Sequence, residues 1–437
     1  MKTSRSTLFG FLLLSWLVSF GAFAAAPAIN DIGTLGGTYS YAQATSDSGD
    51  VVGQSDTSGN AATHAFLWNA ASGMHDLGTL GGSYSQAIAV NNHGEVIGHS
   101  QRADGSYGGF YWSAATGMVD LGTIGDGQYV YPSYINDNGQ VTGQIQGGSY
   151  YYRTFFWTRT SGMQDISPNS TCSNYYYYYC YSVPQKLNSA GQVLGYYFDG
   201  YTSGSFVFTP ANGTTVLSGG LSTSGGYSYV YGQDQNNSGA VTGYSYTNEG
   251  TTHAFVWTAD AGYTDLGTLG NDPYGYSYGY SINDSGTVVG QTYDCSTYQN
   301  LPFVWNAADG MQSILLPAGY DQSGYLYELS NGGQALGYAS GSTDGGYIYW
   351  DANTGAFGRL DIDPLPHQLH VARRVVTSGD ANWLIADDVG LGKTIEVGLI
   401  LHALTQRNRC RRVLVVCPAS LTKNWKQEMR IDRKSVV

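Results

Sequence analysis

A short phrase repeated seven times constrains this chain more than any other feature. A turn recurs as Ser46-Asp-Ser-Gly49, Asn91-Asn-His-Gly94, Asn136-Asp-Asn-Gly139, Asn188-Ser-Ala-Gly191, Asn236-Asn-Ser-Gly239, Asn283-Asp-Ser-Gly286 and Ser330-Asn-Gly-Gly333, at spacings of 45, 45, 52, 48, 47 and 47 residues. A fixed period of a few tens of residues means one supersecondary unit copied along the chain, each copy needing its neighbours to bury its apolar face. The period therefore sets the architecture wherever it runs.

Each turn is followed by a short apolar run ending in glycine, from Val51-Val-Gly53 and Val96-Ile-Gly98 to Val288-Val-Gly290 and Ala335-Leu-Gly337. Asn, Asp and Gly tolerate the left-handed conformations of tight hairpins, and β-branched residues suit a pleated surface, so the turn should join two antiparallel strands. A third strand carries aromatic residues: Phe66-Leu-Trp68, Phe110-Tyr-Trp112, Phe155-Phe-Trp157, Phe206-Val-Phe208, Phe255-Val-Trp257, Phe303-Val-Trp305 and Ile348-Tyr-Trp350. A segment such as Gly73-Met-His-Asp-Leu-Gly78 follows and reads as the opening of the next unit. Four short strands in about 45 residues, with one aromatic anchor packing each unit on the next, predict a mainly all-β, seven-bladed β-propeller-like body from Asp31 to Trp350. An open β-solenoid is the alternative, since periodicity does not require closure.

Composition changes sharply after the last repeat. Residues 27–356 hold four basic against 24 acidic residues, a net of -20, whereas residues 357–437 hold 13 basic against 8 acidic, a net of +5. All 38 tyrosines precede residue 357. An acidic tyrosine-rich body and a basic tyrosine-free tail imply separate domains with separate partners. At the other end, Met1-Lys-Thr-Ser-Arg5, the apolar run Leu8 to Phe20 and the small residues Ala22-Phe-Ala24 and Ala24-Ala-Ala26 have the form of a secretory signal peptide over residues 1–26. The run falls short of the roughly 20 residues a membrane span needs. A secreted or periplasmic body is the expectation. An oxidising compartment would let Cys172 and Cys180, which flank an insertion, close a disulfide loop.

With His64-Ala-Phe66 and His253-Ala-Phe255 set beside the Asp-Leu-Gly-Thr-Leu-Gly segments, the body resembles the bacterial HAF-repeat family of extracellular proteins. The resemblance implies fold and export, and brings no reaction with it. Most carboxylates in the body sit beside Gly and Asn in turns, as turn-formers or caps, and the two repeated histidines are expected to bond neighbouring backbone groups. No nucleophile motif or metal-ligand spacing accompanies them. The tyrosines suit a carbohydrate or peptide surface for an extracellular ligand, and equally suit ordinary sheet surface.

Recognisable chemistry lies in the tail. Trp383-Leu-Ile-Ala386 reads as a buried strand, Asp387-Asp388-Val389-Gly390-Leu391-Gly392-Lys393-Thr394 as a loop entering a helix, and Arg412-Val-Leu-Val-Val-Cys417 as a second buried strand. Gly390 and Gly392 let backbone N–H groups approach phosphates, Lys393 supplies charge to the outer ones, Thr394 can reach Mg²⁺, and the helix N-terminus favours the anion. Asp387 stands where the general G-x-x-x-x-G-K-S/T pattern has its first glycine. The prediction over residues 357–431 is a truncated α/β RecA-like P-loop fragment.

That stretch, with Pro366-His-Gln368 upstream and Val413 to Leu421 and Asn424-Trp-Lys-Gln-Glu428 downstream, resembles the start of Snf2-type helicase-like ATPases, especially the bacterial RNA-polymerase-associated branch. The resemblance implies adenine recognition by Gln368, ATP with Mg²⁺ on Asp387 to Thr394, nucleic-acid contact through Pro418, Ala419 and Ser420, and DNA and RNA polymerase as partners. No Asp-Glu-x-His motif follows to hold the metal, and phosphoryl transfer depends on such positioned charges. Weak nucleotide binding without motor activity is expected. An exported body and a cytoplasmic motor conflict in compartment, so two reading frames joined near residues 356–362 are the simplest origin. The final Asp432-Arg-Lys-Ser-Val-Val437 resembles a translated sequencing-adapter end and continues no element.

Overall fold

The computed structural model describes residues 31–359, apart from stretches at 126, 128, 148–151, 169–179, 223–228, 270–273, 296, 315, 317–322, 342–344 and 352–355. Its strands fall into seven consecutive four-stranded antiparallel units. The first strands are β1 (Gly36–Thr45), β5 (Gly81–Val90), β9 (Tyr129–Ile135), β13 (Tyr181–Leu187), β17 (Val230–Gln235), β21 (Ser277–Ile282) and β25 (Ser323–Leu329). The second strands are β2 (Val51–Thr57), β6 (Val96–Arg102), β10 (Val141–Gln146), β14 (Val193–Phe198), β18 (Val241–Tyr246), β22 (Val288–Asp294) and β26 (Gln334–Ser340). Third come β3 (Thr63–Asn69), β7 (Tyr107–Ser113), β11 (Tyr152–Thr158), β15 (Ser203–Thr209), β19 (Thr252–Thr258), β23 (Gln299–Asn306) and β27 (Gly345–Asp351). Fourth come β4 (Gly73–Asp76), β8 (Gly117–Asp120), β12 (Gly162–Asp165), β16 (Gly213–Val216), β20 (Gly262–Asp265), β24 (Gly310–Ser313) and β28 (Ala356–Arg359).

One detail differs from the sequence reading. The Gly-Met-x-Asp segment closes its own unit and does not open the next: Phe66 pairs with Asp76 and Asn69 with Gly73, so β4 returns along β3. The glycine that ends each apolar run lies inside its strand. Val96–Arg102 runs on past Gly98, because a bulge in the facing first strand, between Ala87 and Ala89, needs a residue without a side chain opposite it. A Cβ on Gly98 would lie 2.0 Å from the Gln86 carbonyl oxygen, and one on Gly243 only 1.8 Å from that of Tyr231. The bulge recurs in every unit, and so does the glycine.

The core lies between units. Six clusters of buried side chains each join two successive units, for example Ile97, Tyr111 and Leu121 of the second with Val130, Val141 and Phe155 of the third. Adjacent residues of one second strand, Val96 and Ile97, serve opposite interfaces, and both are fully buried. Sheets covered on both faces need continuous apolar runs, which is why these strands lack strict alternation. The anchor of each unit is the first residue of its aromatic triplet: Phe66, Phe110, Phe155, Phe206, Phe255, Phe303 and Ile348 are all 0% exposed.

Hydrogen bonds staple the same interfaces. In each Asn-led turn the asparagine Oδ1 accepts the N–H four residues on, as Ala240 to Asn236 at 2.9 Å. Its Nδ2 donates to the matching carbonyl of the next unit: Asn91 to Asn136 at 2.9 Å, Asn136 to Asn188 at 2.9 Å, Asn188 to Asn236 at 3.0 Å, Asn236 to Asn283 at 3.0 Å and Asn283 to Ser330 at 3.4 Å. Only a side chain holding both an acceptor and a donor can do both. Asparagine is thus the turn residue for two reasons, hairpin geometry and stacking.

No α-helix occurs among the described residues. The RecA-like fragment expected over 357–431 lies outside them beyond Arg359.

Candidate binding site: a tyrosine-lined cleft

The residues that the sequence marks for nucleotide and nucleic acid (Gln368, Asp387, Asp388, Val389, Gly390, Leu391, Gly392, Lys393, Thr394, Pro418, Ala419 and Ser420) all lie outside the described residues. So does Cys172, while Cys180 is buried and disulfide-bonded. Among the described residues, no group of three or more His, Cys, Asp or Glu side chains is placed to hold a metal ion.

The two repeated histidines pair with carboxylates, where a backbone partner was expected. Nδ1 of His64 lies 2.9 Å from both carboxylate oxygens of Asp76, and His253 lies 3.0 Å from both of Asp265. Antiparallel pairing of third and fourth strands brings the two residues of each pair together across a spacing of 12. Arg153 meets Asp165 in the same way at 3.1 Å. In the second unit the slot holds Gly108, and Arg102 reaches across it from β6 to Asp120. Where Val216 and Ser313 replace the carboxylate, Gly204 and Leu301 stand twelve residues earlier in place of a cation. The aspartate also caps the following loop, taking the Gly78 N–H at 2.8 Å in the first unit. For Asp265, burial pushes the carboxyl pKa up, but the hydrogen bonds from His253 and the Gly267 N–H outweigh it and hold the group below its ordinary value. These pairs fasten loops and carry no nucleophile.

The tyrosines make a more distinctive feature. Period-two alternation along β17 and β18 puts Tyr231 and Tyr229, just ahead of β17, on one face, with Val230 buried between them, and Tyr244 and Tyr246 on one face, with Ser245 buried between. Register sets Tyr231 opposite Tyr244, and their rings stack at 5.1 Å with planes 23° apart. The tyrosines sit at the open end of the hairpin, and the asparagine ladder at its closed end.

Contacts then run from unit to unit. From Tyr181 in the fourth, through Tyr196, Tyr231, Tyr244, Tyr278, Tyr280, Tyr325 and Tyr338, to Tyr347 in the seventh, each ring centroid lies 4.8–6.3 Å from the next. Such distances are those of favourable aromatic pairs. In the middle of this array lies a cleft of about 470 Å³ lined by Ser203, Tyr229, Tyr231, Tyr244, Tyr246, Thr252 and Tyr278. Its lining comes from three successive units and contains no charged side chain. Burial pushes the phenol pKa values of Tyr244 and Tyr278 up, helped by neighbouring tyrosines, so their hydroxyls stay protonated and can donate. The alternating tyrosines are visible in the sequence. Their convergence from three units is not, because it depends on hairpin register and stacking together.

Comparison with known proteins finds a family match that spans the last repeat units and the tail. A family model described as the SNF2-related domain matches residues 255–433. A protein of Bacillus subtilis (strain 168) named as the uncharacterized ATP-dependent helicase YqhH is 46% identical over 67 residues, which is 15% of this chain and 12% of that protein. The RNA polymerase-associated protein RapA of Pseudomonas putida (strain GB-1) is 48% identical over 67 residues, 15% of this chain and 7% of that protein. The chain carries a Snf2-type segment. The span matched by the family model opens within β19, and its described residues up to Arg359 form strands and turns of the repeat units. Among solved structures, one from a study of two prolyl endopeptidases has a TM-score of 0.41 at 13% identity, over 73% of this chain and 48% of that one. The β-propeller domain of the Trilobed protease from Pyrococcus furiosus has a TM-score of 0.36 at 8% identity, over 75% of this chain and 100% of that one.

Proposed function

We propose that residues 357–431 are the ATP-binding opening of a Snf2-type, nucleic-acid-dependent ATPase. The observation that carries the proposal is the P-loop Asp387 to Thr394, set between two apolar strands inside a span that the SNF2-related model matches. Lys393 would meet the outer phosphates and Thr394 the Mg²⁺, with Gln368 on the adenine and Pro418 to Ser420 toward a nucleic-acid strand. The likeness to a protein named for its association with RNA polymerase supports RNA polymerase as a native partner of such a segment, with DNA as the nucleic acid on this reading. On this reading the segment binds nucleotide weakly without turnover, since phosphoryl transfer needs positioned charges beyond the phosphate cradle itself. Titration of the full chain with a fluorescent ATP analogue and Mg²⁺ tests this. Binding that is lost in Lys393→Ala is expected; binding unchanged by that substitution, or sustained ATP hydrolysis, would overturn it.

The tyrosine-lined cleft favours a second reading for residues 27–356: an exported, non-enzymatic HAF-repeat body that acts as a binding module. In this reading the first 26 residues direct export, the seven units close into a propeller, and Cys172 is the partner of Cys180. Body and tail then come from two reading frames joined near residues 356–362, which the reversal of charge supports. Long sequencing reads across the junction test the joining, and an uninterrupted natural locus would refute it.

A further inference from the structure

Resting on the reading of the body as a binding module, we propose that the tyrosine-lined cleft takes a neutral glycan. Seven residues line it, and each offers a ring face, a hydroxyl or both, with no carboxylate, guanidinium or ammonium among them. That chemistry selects among ligands. Inside a body of net charge -20, a cleft meant for a cation would hold carboxylates, and one meant for an anion would need the few basic residues that lie elsewhere. A sugar ring presents C–H faces that stack on tyrosine and hydroxyls that bond to tyrosine, serine and threonine hydroxyls.

Two further observations agree. The hydroxyls of Tyr229, Tyr244, Tyr246 and Tyr278 have no hydrogen-bond partner among the described residues, so a ligand meets unused donors there. The rings are also held in place before any ligand arrives: Tyr231 is stacked against Tyr196 at 5.7 Å, Tyr229 at 6.2 Å and Tyr244 at 5.1 Å. Preorganised rings reduce the entropy cost of binding. The volume of about 470 Å³ lies within the span of ligand pockets, roughly 300–1,000 Å³. The tyrosine array continues on both sides of the cleft, so a chain-like ligand can extend past it. A short stretch of neutral polysaccharide fits this arrangement better than an ion or a compact hydrophobe.

Isothermal titration of the full chain with neutral β-1,4- and β-1,3-linked glucose hexasaccharides tests the proposal, beside a polygalacturonate oligomer and a proline-rich peptide. The expected result is binding of a neutral hexasaccharide that survives about 0.5 M salt. It should weaken roughly tenfold in Tyr246→Ala and in Tyr229→Ala, and only a few-fold in Tyr246→Phe, which keeps the ring. Tyr39→Ala, 51% exposed in the first unit and outside both the cleft and the tyrosine array, should leave binding unchanged. Thermal melts of each variant separate lost binding from lost folding. Hexasaccharide binding indifferent to Tyr229 and Tyr246 would overturn the cleft assignment. Binding of the anionic oligomer or the peptide alone would overturn the glycan and leave the binding module standing. Binding of none of the four would overturn both.

Discussion

Removing one rung of the asparagine ladder tests how the repeat units are joined. Asn236 is 5% exposed, and its side chain makes two kinds of bond. Oδ1 accepts the N–H of Ala240 at 2.9 Å within the turn, and Nδ2 donates to the Asn283 carbonyl of the next unit at 3.0 Å. In Asn236→Ala the Ala240 N–H, on a residue only 7% exposed, loses its partner. An unpaired buried group costs about 1–3 kcal/mol. The Asn283 carbonyl keeps the Gly286 N–H at 3.0 Å, so it loses only its second bond, about 1 kcal/mol. The expected destabilisation is about 2–4 kcal/mol. Serine gives an internal comparison, because the first and last turns already use it. Ser46 Oγ accepts the Asp50 N–H at 3.2 Å, and Ser330 Oγ the Gln334 N–H at 3.0 Å, but the Ser46 hydroxyl makes no bond of the Nδ2 type to the second unit. Asn236→Ser should therefore cost only about 1 kcal/mol, the lost rung alone. Urea unfolding of the full chain followed by tryptophan fluorescence measures both, with hydrogen exchange at Ala240 as a local check. Equal destabilisation by Ala and Ser, or a loss below about 0.5 kcal/mol for Ala, would refute the assignment of two separate roles to one side chain.

Two further outcomes follow from the same geometry. Gly243→Ala places a Cβ 1.8 Å from the Tyr231 carbonyl oxygen, so the bulge in β17 must shift at a cost of about 3 kcal/mol or more; a fall in melting temperature no larger than that of an exposed-site control would contradict the role given to this glycine. For Asp120, burial raises the carboxyl pKa, but the hydrogen bond from Arg102 and that from the Gly122 N–H prevail and leave it depressed. A depressed folded pKa adds stability above the unfolded value, and that stability is lost as pH falls through the folded one. Arg102→Gln should therefore lower the urea midpoint at neutral pH and lose that effect as Asp120 protonates at acid pH; a deficit that is constant from neutral pH to about pH 2 would contradict it.

Much of the body was legible because its signals are local. The turn Asn236 to Gly239, the buried pair Val96-Ile97 and the anchor Phe255 each announce a strand or its end through side-chain type alone. Other features depend on register, which no single segment encodes. The glycine at 98 was visible, but its reason, a bulge between Ala87 and Ala89 on the facing strand, required the pairing. The histidines at 64 and 253 were assigned backbone partners, whereas each meets an aspartate 12 residues on. A partial signal was present: a cation stands twelve residues before the aspartate in three units, as Arg153 before Asp165, and neither is found at Leu301 and Ser313. The cleft was the least legible feature, since Ser203, Tyr231 and Tyr278 belong to three units whose stacking the period implies but does not measure. The P-loop expected at Asp387 to Thr394 was read from consecutive residues alone, as a phosphate cradle allows, and it lies outside the described residues.

The central claim is that nucleotide chemistry belongs to the tail and none to the repeat units. Photolabelling the full chain with 8-azido-ATP and Mg²⁺, followed by proteolysis and mass spectrometry, tests it most directly. The account predicts label confined to peptides from residues 357–431, competed by ATP and lost in Lys393→Ala. Specific label on peptides from residues 32–350 that persists in Lys393→Ala would contradict it.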